Sequence, residues 1–173
     1  ARDVRSDCAI VHVRQPTVGD FRIENIHPFR MRSWLFAHSG TIHRFEALRA
    51  GLLESMPDFL RRNVRGQTDS ELFFHLLLSF LHDAGDLDNP DIEGASLLRA
   101  ARSSVALVDR LSATVSAPPA TLNFILTNGR RMIAVRRGER MAWTERTSSG
   151  DATDPSRTRF VMVVSAGIET PSD

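Results

Sequence analysis

Apolar residues gather in short β-branched runs near both ends of this chain and recur at helical spacing between them. Cys8 to Val13 is a compact apolar run and predicts a buried strand. Arg14 to Pro28 is broken by Pro16, Gly19 and Pro28, which predicts a loop with at most a short extended piece. Ser33 to His38 predicts a second strand. From Thr41 onward, Ile42, Phe45, Leu48, Leu52 and Met56 recur every three or four residues and predict a helix that ends or kinks at Pro57.

The strongest helical pattern is TDSELFFHLLLSFLHD. Thr68 and Glu71 have the spacing of a capping box, and Leu72, Phe73, Leu76, Leu77, Phe80 and Leu81 form a wide apolar face behind it. Ala95, Leu98, Ala101, Val105 and Val108 predict a further helix from about Ile92 to Leu111, closed off by Pro118 and Pro119. TLNFILTNGRRMIAVRR predicts two strands around Asn128-Gly129. Residues 144–158 predict a polar loop, and Phe160 to Ser165 a last strand. Strands, then two or three helices, then strands fit either sandwiched sheets with helices outside or a plain α+β domain.

Composition narrows the function classes. With 173 residues the chain is one domain or most of one. Its 22 basic and 21 acidic side chains leave no broad electrostatic footprint for nucleic acid. Every basic residue is Arg, scattered through all segments, which reads as codon bias. No apolar stretch is long enough for a membrane span. A single cysteine, Cys8, excludes an internal disulfide and predicts a cytoplasmic protein. The chain opens on Ala1, close to a core strand, and ends soon after another, which predicts truncation at both ends.

Four clusters could carry chemistry: HVRQPTVG (12–19), ENIHPF (24–29), AHSG (37–40) and GQTDSE (66–71). Each lies at a strand end or helix start, where side chains and free N–H groups converge on small ligands. Arg14 could pair with a carboxylate, Asp69 could accept from an ammonium, and the Gly40 N–H could meet a developing oxyanion. Blander readings exist for each. Asp69 suits a helix dipole on its own account, Arg14 could simply pin a loop, His12 and His38 fit satisfied core or loop positions, and His27 fits a turn. The arginines of RRNVRG (61–66) fit a solvated face. The histidines lack metal-binding spacing, and no phosphate-binding glycine loop or dinucleotide fingerprint is present, so no metal or cofactor is expected.

In this order and spacing the clusters resemble the glutaminase domain of the class II (N-terminal nucleophile) glutamine amidotransferases. They are most similar to a stand-alone branch that includes the γ-glutamyl amidohydrolase of ergothioneine biosynthesis. Its pattern runs His-x-Arg-x-x-Thr-x-Gly, Asn-x-His-Pro-Phe, His-Asn-Gly and Thr-Asp-Ser/Thr-Glu. It matches His12 to Gly19, Asn25 to Phe29, His38 to Gly40 and Thr68 to Glu71, and the likeness is strong over residues 8 to 82. The resemblance implies a single type 2 amidotransferase domain over 1–173, with an α+β, Ntn-hydrolase-type αββα four-layer sandwich, here partial. Helices 41–56 and 68–82 would lie on one outer face. It implies that Arg14 binds the α-carboxylate of glutamine, Asp69 its α-ammonium, and that Thr17 and His27 line the pocket. Gly40 and Ser39 would form the oxyanion hole. The substrate would be glutamine or a γ-glutamyl amide, with a homo-oligomer or an acceptor-enzyme partner left open.

Two positions depart from the pattern. The family's nucleophile is an N-terminal cysteine whose own amine is the base; Ala1 opens this chain, and Cys8 lies inside a strand without a free amine. Ser39 stands where the family has the asparagine of the oxyanion hole. An amidohydrolase whose nucleophile lies outside these residues is therefore weighed against a catalytically impaired relative that binds an amino acid as a regulatory or scaffolding subunit. An unrelated α+β domain would need four chance matches.

Overall fold

The computed structural model describes residues 8–12, 23–148 and 158–165. A short 3-10 turn over Ile23–Asn25 leads into β1 (Phe29–Met31) and β2 (Trp34–Thr41). Four helices follow: α1 (Phe45–Glu54), α2 (Asp58–Arg61), α3 (Asp69–Asp83) and α4 (Gly94–Thr114). The chain then returns as β3 (Thr121–Thr127), β4 (Met132–Val135), β5 (Ala142–Thr147) and β6 (Arg159–Val164). An antiparallel sheet runs in the order β1-β2-β3-β4, and β5 and β6 form a separate antiparallel ribbon.

Alternation along the strands decides which face the helices cover. Trp34, Phe36 and His38 on β2, and Leu122, Phe124 and Leu126 on β3, are all buried and share the face toward α3. Phe36 is the hub, with its ring 5.2 Å from Phe74, 5.6 Å from Phe124 and 6.1 Å from Phe73. Helix α3 packs against α1, α2, α4 and β2, so it is apolar nearly all round. The sequence marked only one face of it: Phe74 and Leu78 are buried as well, whereas Phe80 is half-buried.

Several boundaries differ from the sequence reading, for physical reasons. Residues 8–12 form no strand. Both edges of β3 are taken by β2 and β4, and the segment touches β3 where Cys8 Sγ lies 3.8 Å from Thr127 Oγ1. Val11 is 90% exposed, so this run is not the buried strand its composition suggested. Strand β2 continues through Ser39 and Gly40 to Thr41, because Ser39, Gly40 and Thr41 still pair with Asn123, Leu122 and Thr121. Helix α1 accordingly starts at Phe45, yet Ile42 and Met56 outside it remain buried, so the periodicity read the burial correctly and the helix ends too generously. Residues 142–147, partly read as loop, are β5; their polar side chains suit a solvent-exposed ribbon.

The Asn128-Gly129 turn does join two strands, through a four-residue loop. Asn128 Oδ1 accepts from the N–H groups of Arg130 (3.0 Å) and Arg131 (2.9 Å), and Gly129 has φ +87°, a left-handed conformation that suits glycine. Arg61 and Arg62 pair with Asp58 on the surface, as a solvated face would. No helix among the described residues is long and apolar enough to cross a membrane.

Candidate active site

Asp69 opens α3 and is only 3% exposed. Its Oδ2 accepts from the Ile42 N–H at 2.8 Å and its Oδ1 from the Ser70 N–H at 2.8 Å. Ile42 lies two residues beyond Gly40, so this carboxylate joins the exit of β2 to the first turn of α3. Two backbone donors and the positive end of the helix fix a charge there that burial alone would disfavour.

Next to it His38 bridges three elements. Thr121 O can only accept, so the 3.2 Å contact assigns the proton to Nε2, and Nδ1 then accepts from the Ser70 hydroxyl at 2.8 Å. Burial pushes this imidazole below its ordinary value of 6.5, against the opposing pull of the Asp69 carboxylate and the Thr121 carbonyl; His12 adds to the lowering. The ring is neutral at pH 7. Its hydrogen bonds fix Ser70, whose N–H holds Asp69, and Thr121, which backs Gly40.

At Gly40 the backbone of β3 lies close against β2. A Cβ there would sit 2.0 Å from Thr121 O and 2.8 Å from His38 Nε2, so only glycine fits. The Leu122 N–H donates to Arg137 O at 2.8 Å, away from β2, which makes Gly40 and Leu122 a non-hydrogen-bonded pair. The Gly40 N–H therefore points to the other edge of β2. The pairing with β1 on that edge ends at Phe36, leaving this donor open among the described residues. The Ser39 hydroxyl likewise makes no hydrogen bond among them, while its cross-strand neighbour Asn123 is committed to Glu139 O (2.9 Å) and the Arg137 N–H (2.8 Å).

The structure thus brings Ser39, Gly40 and Asp69 to one end of the β2–α3 junction. The His27 ring lies 4.2 Å from the His12 ring, tilted, and meets Phe29 edge-on at 4.5 Å. Arg14 and Thr17 lie outside the described residues. Cys8, beside Thr127, is about five residues of strand from Gly40, roughly 17 Å. Ser70 and Thr121 had not been singled out: Ser70 is one more polar residue in a helix start, and Thr121 acts through its carbonyl, which no side-chain pattern reports.

Comparison with known proteins gives a consistent picture. Residues 1–152 match the family model described as glutamine amidotransferases class-II. The chain is 28% identical over 144 residues to the Saccharomyces cerevisiae protein named "Probable glutamine amidotransferase DUG3", covering 79% of this chain and 40% of that protein. It is 29% identical over 136 residues to a Haemophilus influenzae protein with the same family designation, covering 76% and 40%. The chain thus spans about two fifths of these curated relatives. A solved glutamine aminotransferase class-II domain protein from Silicibacter pomeroyi superimposes with a TM-score of 0.57 at 25% identity, over 83% of this chain and 61% of that one.

Proposed function

The chain belongs to the class II glutamine amidotransferases and shares their α+β, Ntn-hydrolase-type fold, and on that premise we propose that it hydrolyses the side-chain amide of glutamine or of a related γ-glutamyl amide. The observation that carries the reading is the junction itself: a buried, doubly held carboxylate at Asp69 beside a strand whose Gly40 N–H is open. The ammonium of an amino-acid substrate meets Asp69, and its carboxylate meets Arg14, with Thr17 and His27 lining the pocket.

In this reading a cysteine thiolate attacks the amide carbon, and the carbonyl oxygen becomes an oxyanion. The Gly40 N–H and the Ser39 hydroxyl donate to that oxygen, where charge develops only in the transition state. Collapse releases ammonia and leaves a γ-glutamyl thioester, which water hydrolyses. The cysteine carries its own free amine as base. Cys8 is internal and remote from Gly40, so the nucleophile is not among these 173 residues. The site would operate in the cytoplasm, alone or feeding an acceptor enzyme.

One observation favours a second reading, a catalytically impaired relative that keeps the amino-acid pocket as a regulatory subunit: the serine at position 39. A kinetic comparison separates the two. In the full-length protein, ammonia release is measured with glutamine and with glutaramate, which lacks the α-amine. Asp69→Asn is expected to raise KM for glutamine and to leave glutaramate nearly unchanged. Equal losses for both would overturn the assignment of Asp69, and no ammonia from wild type with any γ-glutamyl amide would favour the impaired relative.

A further inference from the structure

A cavity of about 420 Å³ lies against α3 beside the 65–67 loop and takes in neither Gly40 nor Asp69. Such a volume suits a small molecule. His75 lines it while being only 4% exposed. Its Nδ1 is 2.9 Å from the Glu71 carbonyl, an obligate acceptor, so the proton sits on Nδ1 and Nε2 keeps a lone pair. Nothing among the described residues donates to that nitrogen, and burial holds the ring neutral by pushing its pKa below the ordinary 6.5. Nε2 is thus an uncommitted acceptor on an otherwise buried ring at the wall of a cavity, where a ligand that brings a hydrogen-bond donor can meet it.

The charges around the cavity specify the rest of the ligand. Arg30 and Arg65 both line it, and neither guanidinium has a carboxylate partner among the described residues. Glu71 and Glu24 also line it, as balancing negative groups. Both Glu71 oxygens are held by backbone donors, Arg65 N–H at 2.9 Å and Gly66 N–H at 2.6 Å, which keep that carboxylate in place. Gly66 cannot carry a side chain, since a Cβ would lie 2.4 Å from Asn25 Oδ1 and 2.8 Å from Glu71 Oε2, so this wall is tightly built. Ile26, Phe29 and Phe74 supply apolar surface between the polar groups.

We propose that this cavity is a second small-molecule site that binds a zwitterionic α-amino acid with an apolar side chain. The ligand's carboxylate pairs with Arg30 and Arg65, and its ammonium donates to His75 Nε2 near the Glu24 and Glu71 carboxylates. Its side chain covers Ile26, Phe29 and Phe74. The site stands apart from the Gly40–Asp69 junction and does not depend on the proposed hydrolysis.

Calorimetric titration of the full-length protein tests this with three probes of one carbon skeleton: L-leucine, 4-methylpentanoate without the ammonium, and 3-methylbutylamine without the carboxylate. Leucine is expected to bind saturably, at least about tenfold more tightly than either partial analogue. Arg30→Gln and Arg65→Gln, both at exposed positions, should each weaken leucine about tenfold without loss of fold. Saturating glutamine should leave leucine binding in place. The proposal is overturned if leucine does not bind, binds no better than 4-methylpentanoate, is displaced by glutamine, or is indifferent to both arginine variants together.

Discussion

In the proposed reading the Ser39 hydroxyl, which makes no hydrogen bond among the described residues, joins the open Gly40 N–H as the second oxyanion donor, where the family has an asparagine amide. An oxyanion donor acts on charge that appears only in the transition state, so a better donor raises kcat and moves KM little. Removing one such donor from a hydrolase costs on the order of 10²–10³ in rate. Ser39→Asn in the full-length protein is therefore expected to raise kcat by about tenfold or more with glutamine and with γ-glutamyl amides. A fall in kcat for every substrate would mean the hydroxyl works as part of a differently built site. Gly40 gives a sharper case. Any side chain there collides with the Thr121 carbonyl, so Gly40→Ala should cost roughly 1–3 kcal/mol or more and show as a lowered urea midpoint. The sequence singles out Ser39, Gly40 and Asp69 as candidates because short polar residues at element ends stand out against apolar runs. What it hid was partnership: nothing local in AHSG tells that His38 reaches Ser70 and Thr121, which are 32 and 83 residues away.

Among the elements, α3 was the most legible and still held a surprise. Its cap is as the Thr68–Glu71 spacing suggests, with Thr68 Oγ1 accepting from the Glu71 N–H at 3.2 Å. The reciprocal half of the box is absent, because the Glu71 carboxylate turns to the Arg65 and Gly66 N–H groups. That carboxylate fixes the loop before the helix, and Asn25 Oδ1 holds the same loop through the Gln67 N–H at 3.0 Å. Thr68→Ala should destabilise by roughly 0.5–2 kcal/mol, and an unchanged denaturation midpoint would show the cap to be redundant. Removing the Glu71 carboxylate should cost more, since Glu71→Ala strands two backbone donors, one of them on buried Gly66, at about 1–3 kcal/mol for a buried unsatisfied group. Strand β5 was less legible than the three long helices. A two-stranded ribbon has no core to impose alternation, and Trp143 on it is 72% exposed, so its pattern carries composition and little period.

For the molecule as a whole, the helical layer could be read from spacing because α3 and its neighbours bury one continuous core against the β2–β3 face. That same core encloses two imidazoles, His38 and His75, and this sets how stability responds to acid. Burial lowers both below the ordinary 6.5, more than the facing groups raise them: Asp69 and Thr121 at His38, Glu71 at His75. In the unfolded chain both titrate near 6.5. As pH falls through that value the unfolded state takes up protons that the folded state refuses, so stability declines. The decline continues until the folded imidazoles themselves protonate. Each histidine contributes a slope of at most about 1.4 kcal/mol per pH unit in that window. Above pH 7.5 neither ring distinguishes the two states and their contribution is flat. Urea midpoints measured between pH 7.5 and 5.5 should therefore fall steadily, and His75→Gln should make the decline shallower because one of these two buried rings no longer refuses a proton. Midpoints that hold level or rise on acidification would show that the folded rings accept protons as readily as the unfolded ones. In that case the Nε2 proton assigned to His38 by the Thr121 carbonyl would no longer imply a neutral ring, and the Ser70 hydroxyl, already 3.4 Å from Asp69 Oδ1, would accept from Nδ1 and donate to that carboxylate.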